Sequence, residues 1–104
     1  MNISNNLITQ AGELLNEIKP VLDVTWDDDI TNGKIKNIIA DGMALINDDV
    51  KAEIDYSEDR LALKLLKTYC RYAWNNSEEY FIKNNVSDII KLEALYGKEE
   101  TENS

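Results

Sequence analysis

Residues Arg60 to Asn75 read Arg-Leu-Ala-Leu-Lys-Leu-Leu-Lys-Thr-Tyr-Cys-Arg-Tyr-Ala-Trp-Asn. Leu61, Leu63, Leu65, Leu66, Tyr69, Cys70, Tyr72 and Trp74 spread apolar side chains over more than one side of a helix. A helix of that kind has to be covered on more than one face, by other helices of the chain or by another subunit. The stretch predicts the long central helix of an all-α fold, and the rest of the chain must supply its cover.

Downstream, Asn75 and Asn76 mark a break, and Ser77 with Glu78, Glu79 and Tyr80 offers a fresh capping signal. Phe81, Ile82, Val86, Ile89, Ile90, Leu92, Leu95 and Tyr96 then predict an amphipathic C-terminal helix, with Gly97 as its C-cap. Residues 98–104 hold no apolar side chain and are expected to be a polar tail that orders only on a partner. Upstream, residues 47–56 lose the helical period and carry four acids, which predicts a loop with a short strand at Ala52 to Tyr56. Ser57, followed by Glu58, Asp59 and Arg60, resembles the first turn of the central helix.

Further upstream, Ile35, Ile38, Ile39, Gly42, Leu45 and Ile46 share one helical face behind the acids Asp27, Asp28 and Asp29, one of which should be the N-cap. Asn32 and Gly33 weaken the first turn of this helix. Gly42 lies on its apolar face, where a missing side chain lets a neighbouring helix come close. Leu7, Ala11, Leu14, Leu15 and Ile18 mark another amphipathic helix, Leu7 to Lys19, which Pro20 should stop. Val21 to Trp26 reads as an irregular or extended connector. The expected architecture is one domain, residues 1–97, built as a small bundle of about four helices.

Composition narrows the function classes. The chain has 104 residues, 43% of them hydrophobic, enough for one core. Twenty acids against 11 bases give a net charge of −9, and there is no His. An acidic surface repels nucleic acid, because duplex affinity depends on Lys and Arg neutralising phosphates. Without His the chain lacks the commonest general base and the commonest zinc ligand. The lone Cys70 forms no internal disulfide, which suits a reducing cytoplasm. The first residues show no positive stretch followed by an apolar one, and no apolar run reaches the ~20 residues of a membrane span.

The candidate chemical sites are poor. Counted from Asp27, a calcium loop would need glycine where Asn32 stands and glutamate where Ile38 stands. The pairs Asp48 and Asp49, and Glu78 and Glu79, sit in polar sequence, without the contrasting environments that acid–base chemistry requires. Cys70 lies among apolar residues and reads as a small buried hydrophobe. The expectation is therefore no catalytic residue, no metal and no cofactor. Tyr69, Arg71, Tyr72 and Trp74 are of the types enriched at interface hot spots as well as in cores. Leu92, Leu95 and Tyr96 extend the last apolar stripe beyond the reach of the central helix and join them as candidate partner-binding residues.

The stretch Leu61 to Asn76, followed by Glu78, Glu79, Phe81 and the apolar helix to Tyr96, resembles the head–tail connector (adaptor) proteins of tailed bacteriophages. The acidic lead into an Ile-rich helix, Asp27 to Ile46, is similar to theirs as well. The resemblance covers roughly residues 24–97, and the segment Leu7 to Lys19 is additional to it. It implies a structural protein of the virion, made in the host bacterial cytoplasm, that assembles with copies of itself as a ring, a dodecamer, under the portal protein. The ring would dock the next neck, stopper or tail-completion protein, with genomic DNA passing through it unread. It also implies that the C-terminal helix, Glu78 to Tyr96, and the tail engage the portal. A small acidic regulatory or inhibitory protein that binds one host partner is the alternative reading, and an enzyme is a third without a constellation to support it.

Overall fold

The computed structural model describes the backbone of residues 5–103 and the side chains of residues 7–97. Every regular element among them is helical: α1 (Asn5–Val21), α2 (Asp29–Val50), α3 (Arg60–Trp74), a single 3-10 turn (Glu78–Tyr80), α4 (Phe81–Asn84) and α5 (Val86–Asn103). The expected all-α class holds, and the details differ where backbone chemistry outweighed the apolar pattern.

Pro20 does not stop α1, which continues through it to Val21. A proline this late removes one intrahelical N–H, and the chain closes the end with other donors. Asp23 N–H donates to the Pro20 carbonyl at 3.1 Å and Val24 N–H to the Lys19 carbonyl at 3.0 Å, with Asp23 in the left-handed region at φ 59°. This is the doubly bonded C-terminal lock usually built on glycine. It recurs after α3, where Asn76 has φ 57°, Asn76 N–H donates to the Ala73 carbonyl at 3.0 Å and Ser77 N–H to the Tyr72 carbonyl at 2.8 Å. The expected break at Asn75 and Asn76 is this lock. Lys51, at φ 62°, ends α2 in the same conformation. Gly97, the expected C-cap, is instead inside α5, and the helix runs on to Asn103, so residues 98–103 continue the helix.

Asp28 is the N-cap of α2: its carboxylate accepts from Thr31 N–H at 2.8 Å and from the Thr31 hydroxyl at 2.9 Å. With Asp29 in the first turn, the cap outweighs the weak helix formers Asn32 and Gly33, and the helix starts before them. At its other end α2 reaches Val50, beyond the expected loop boundary. Ile39, Met43, Ile46 and Val50 are all buried, so the apolar period continues while Asp48 and Asp49 point outward. No strand forms at residues 52–56. Ile54 and Tyr56 are buried and Glu53 and Asp55 exposed, an alternation that mimics a strand on an irregular segment. Asp59, not Ser57, caps α3, accepting from Ala62 N–H at 3.0 Å, while Ser57 turns back onto Asp55.

The long element is α2, with 22 residues against 15 in α3. It packs against α1, α3 and α5, whereas α3 is strongly amphipathic. Ala62, Leu65, Leu66, Tyr69 and Cys70 form its buried face, and Leu61, Leu63, Tyr72, Ala73 and Trp74 are only half-buried flanks. Where the two helices cross, a Cβ on Gly42 would fall 2.7 Å from Tyr69 Cδ2 and 2.9 Å from Leu66 Cδ1. The expected close approach is real, and its partner is α3. Phe81 of α4 is fully buried under the edges of Tyr69 and Tyr72, with ring centres 5.3 and 6.2 Å away. The predicted single C-terminal helix is broken at Asn85, whose side-chain amide donates to the Phe81 carbonyl at 2.9 Å. Asn85 thereby satisfies the end of one helix and, through its own carbonyl, accepts from Ile89 N–H in the next.

Candidate interaction surfaces

The structure divides the seven sequence-derived candidates. Tyr69 and Leu92 are core residues, Leu92 being fully enclosed. Tyr72, Trp74 and Tyr96 are half-buried, and each has an internal contact. The Tyr72 hydroxyl accepts from Asn84 Nδ2 at 3.3 Å, Lys34 Nζ stands 5.0 Å over the Trp74 ring, and the Tyr96 hydroxyl donates to Asp59 Oδ2 at 2.7 Å. Tyr96 thus ties α5 to the carboxylate that caps α3. Only Arg71 and Leu95 are exposed.

The exposed large apolar residues of the C-terminal part are Tyr80, Ile82, Val86, Ile90 and Leu95. Ile82, Val86 and Ile90 are spaced by four, while Ile89, Leu92 and Tyr96 form the inward row between them. Sequence reading joined both rows into one stripe. On α5 the two directions are legible from spacing alone, since 86 and 90 share one and 89, 92 and 96 another, while Ile82 belongs to α4 before the break at Asn85. Ile90 and Leu95 are 57% and 60% exposed, and five residues, about 140° around α5, separate them, so they flank the inward row on opposite sides.

Two charged surfaces were missed. Arg60, Lys64, Lys67 and Arg71 fall at i, i+4, i+7 and i+11, so the face of α3 turned away from its buried side carries a row of cations. Lys64 pairs with Asp88 at 3.5 Å. Separately, α1 and the irregular segment after α2 enclose an open cleft of about 620 Å³, lined in part by Glu13, Glu17, Glu53 and Asp55 with Leu14, Ile54 and Tyr56. No Lys or Arg is among the described lining residues. Asp55 is held ionised by the Ser57 hydroxyl and backbone N–H, which lower its carboxyl below the usual range. The cationic spacing on α3 could have been read from sequence. The cleft could not, because it needs the fold.

The aspartate triplet is occupied by structural work. Asp27 accepts from Asn32 Nδ2 at 2.6 Å and pairs with Lys19 at 3.3 Å, and these bonds lower its carboxyl; the Thr31 bonds do the same for Asp28. Burial pushes the Cys70 thiol up to about 12. Among the described residues no group of His, Cys, Asp or Glu is placed to hold a metal ion, and no helix is long and apolar enough to cross a membrane. Compared with models of known families, with curated proteins and with solved structures, the chain finds no match.

Proposed function

We propose that the chain is a structural connector subunit of a tailed phage, a bundle of about four helices that joins the portal of the DNA-filled head to the neck or tail. It works through helix surfaces, as one member of a homo-oligomeric ring in the virion, and carries out no chemical step. The observation that carries this reading is the set of exposed apolar side chains on α4 and α5, Ile82, Val86, Ile90 and Leu95, on a chain whose own core is already closed. Apolar side chains left exposed side by side, as Val86 and Ile90 are one turn apart on α5, mark a partner surface. The resemblance of residues 24–97 to connector proteins supplies the partner class: the portal at these side chains, and the next neck protein on the ring's far side. The net charge of −9 suits a channel wall along which DNA slides without sticking.

The test is co-sedimentation with portal-bearing heads. Cutting the chain after Lys91 would remove Leu92 and the Tyr96–Asp59 bond and so damage the core itself. Ile90→Glu with Leu95→Glu is the cleaner variant. It should stay helical by circular dichroism and fail to co-sediment. Undiminished docking of the folded double variant, or a wild-type chain that stays off heads and binds a host protein instead, would reject the portal assignment in favour of an acidic regulatory protein.

A further inference from the structure

We propose that copies of this chain join through the cationic row on α3, which seats in the acidic cleft of α1 and residues 53–57 on the neighbouring copy. The inference rests on the connector reading for the existence of an assembly, and it names the two faces that build it. Arg60, Lys64, Lys67 and Arg71 hold four of the chain's 11 positive side chains on one helical face. Over 11 residues at 1.5 Å each, the row is roughly 17 Å long. Glu13 and Glu17 stand one turn apart along one wall of the cleft, with Glu53 and Asp55 on the segment facing them.

Charge decides the occupant. Copies with a net charge of −9 repel one another at long range, so a contact between them has to bring opposite charges together where they meet. The cleft offers four carboxylates without a cation among its described lining residues, and α3 is where the chain gathers its positive charge on one helical face. The two faces are different surfaces of the same chain. A contact between different surfaces is head-to-tail: it propagates from copy to copy and makes a ring when the rotation closes, a filament when it does not. A self-complementary patch would stop at a dimer.

Charge exchange tests this directly in the full chain. One variant reverses the row (Lys67→Glu with Arg71→Glu), sparing Lys64 because it already pairs with Asp88. The other reverses the cleft wall (Glu13→Lys with Glu17→Lys). Analytical ultracentrifugation at low salt should show association of the wild type, at least about tenfold weaker association of each variant alone, and recovery when the two are mixed. In the mixture each reversed row meets a reversed cleft, and each native row a native cleft. Raising salt from about 0.1 M to about 1 M shortens the screening length from ~10 to ~3 Å and should weaken wild-type association as well. Variants that associate like the wild type, or a folded mixture that does not recover, overturn the proposed contact. If those variants still dock on portal-bearing heads, the connector reading survives that failure. A wild-type chain that is monomeric at every concentration and absent from heads defeats both. Retention on duplex DNA that needs Lys67 and Arg71, with self-association unaffected by their reversal, would assign the row to nucleic acid instead.

Discussion

Gly42 sets the distance between α2 and α3 by what it lacks. A methyl there would press on the Tyr69 ring at 2.7 Å and on Leu66 at 2.9 Å, and neither has room to retreat, since Tyr69 is wedged against Phe81 and Leu66 is fully buried. Alanine would gain up to about 1 kcal/mol in helix propensity but meet an overpacking cost of about 1–3 kcal/mol. We expect Gly42→Ala to lower the denaturant midpoint and Gly42→Val to lower it further. A Gly42→Ala protein more stable than the wild type would show that the helices part freely. Leu66→Ala should cost about 2–5 kcal/mol as a fully buried truncation, and Trp74→Ala less, because its ring is only partly buried. Cys70 gives a chemical reading of the same core. Its thiol, held near 12, should react with a thiol reagent at neutral pH only as fast as the protein opens. The sign follows from linkage: the folded thiol lies above its unfolded value, so the stability it contributes is complete below about pH 8.5 and lost as pH rises towards 12.

At the scale of elements, the helix ends were the least legible part of the sequence. Apolar spacing located the cores of α1, α2, α3 and α5, because burial selects one face and the selection repeats every three or four residues. It could not place the ends, which depend on single side-chain bonds: Asp59 rather than Ser57 before α3, and Asn85 splitting the last helix. Left-handed stops on Asp23, Lys51 and Asn76 are invisible to a search for glycine, and the glycine that looked like a stop was not one. The candidate site suffered for a related reason, since Tyr69 and Leu92 have interface composition but core positions. The Tyr96–Asp59 bond predicts coupling between elements: in a double-mutant cycle, Tyr96→Phe and Asp59→Asn should share about 1–3 kcal/mol, and strict additivity would show that the bond adds nothing. Acid should undo the same ends. Asp27, Asp28 and Asp55 sit below the ordinary carboxyl value, so the stability they lend is present above about pH 4 and vanishes as pH falls through their folded values. Asp41, raised by burial, acts in the opposite sense. Asp28→Asn keeps an acceptor for Thr31 without a titrating group, and its acid transition should be shallower in a melting series across pH 2–6.

The whole molecule extends 48 by 28 by 24 Å, a long body with exposed apolar side chains on α4 and α5, a cationic row on α3 and an acidic cleft beside α1. Surface substitutions in each of these regions should be nearly silent in folding, within about 0.5 kcal/mol. Thermal melts of Ile90→Glu and of Lys67→Glu should therefore overlay the wild type at low protein concentration, whatever they do to assembly. A large loss of stability in either would move that residue from the surface to the core. The position of α2, in contact with α1, α3 and α5, bears on how the fold comes apart. None of these three neighbours can leave without uncovering it, yet each can fray on its own side. In deuterated water the amides of residues 39–46 should exchange only through complete unfolding, at one shared rate that tracks global stability. Those of residues 25–28 and of the last turns of α5 should exchange orders of magnitude sooner, giving the molecule one slow clock at its centre and fast ones at its edges.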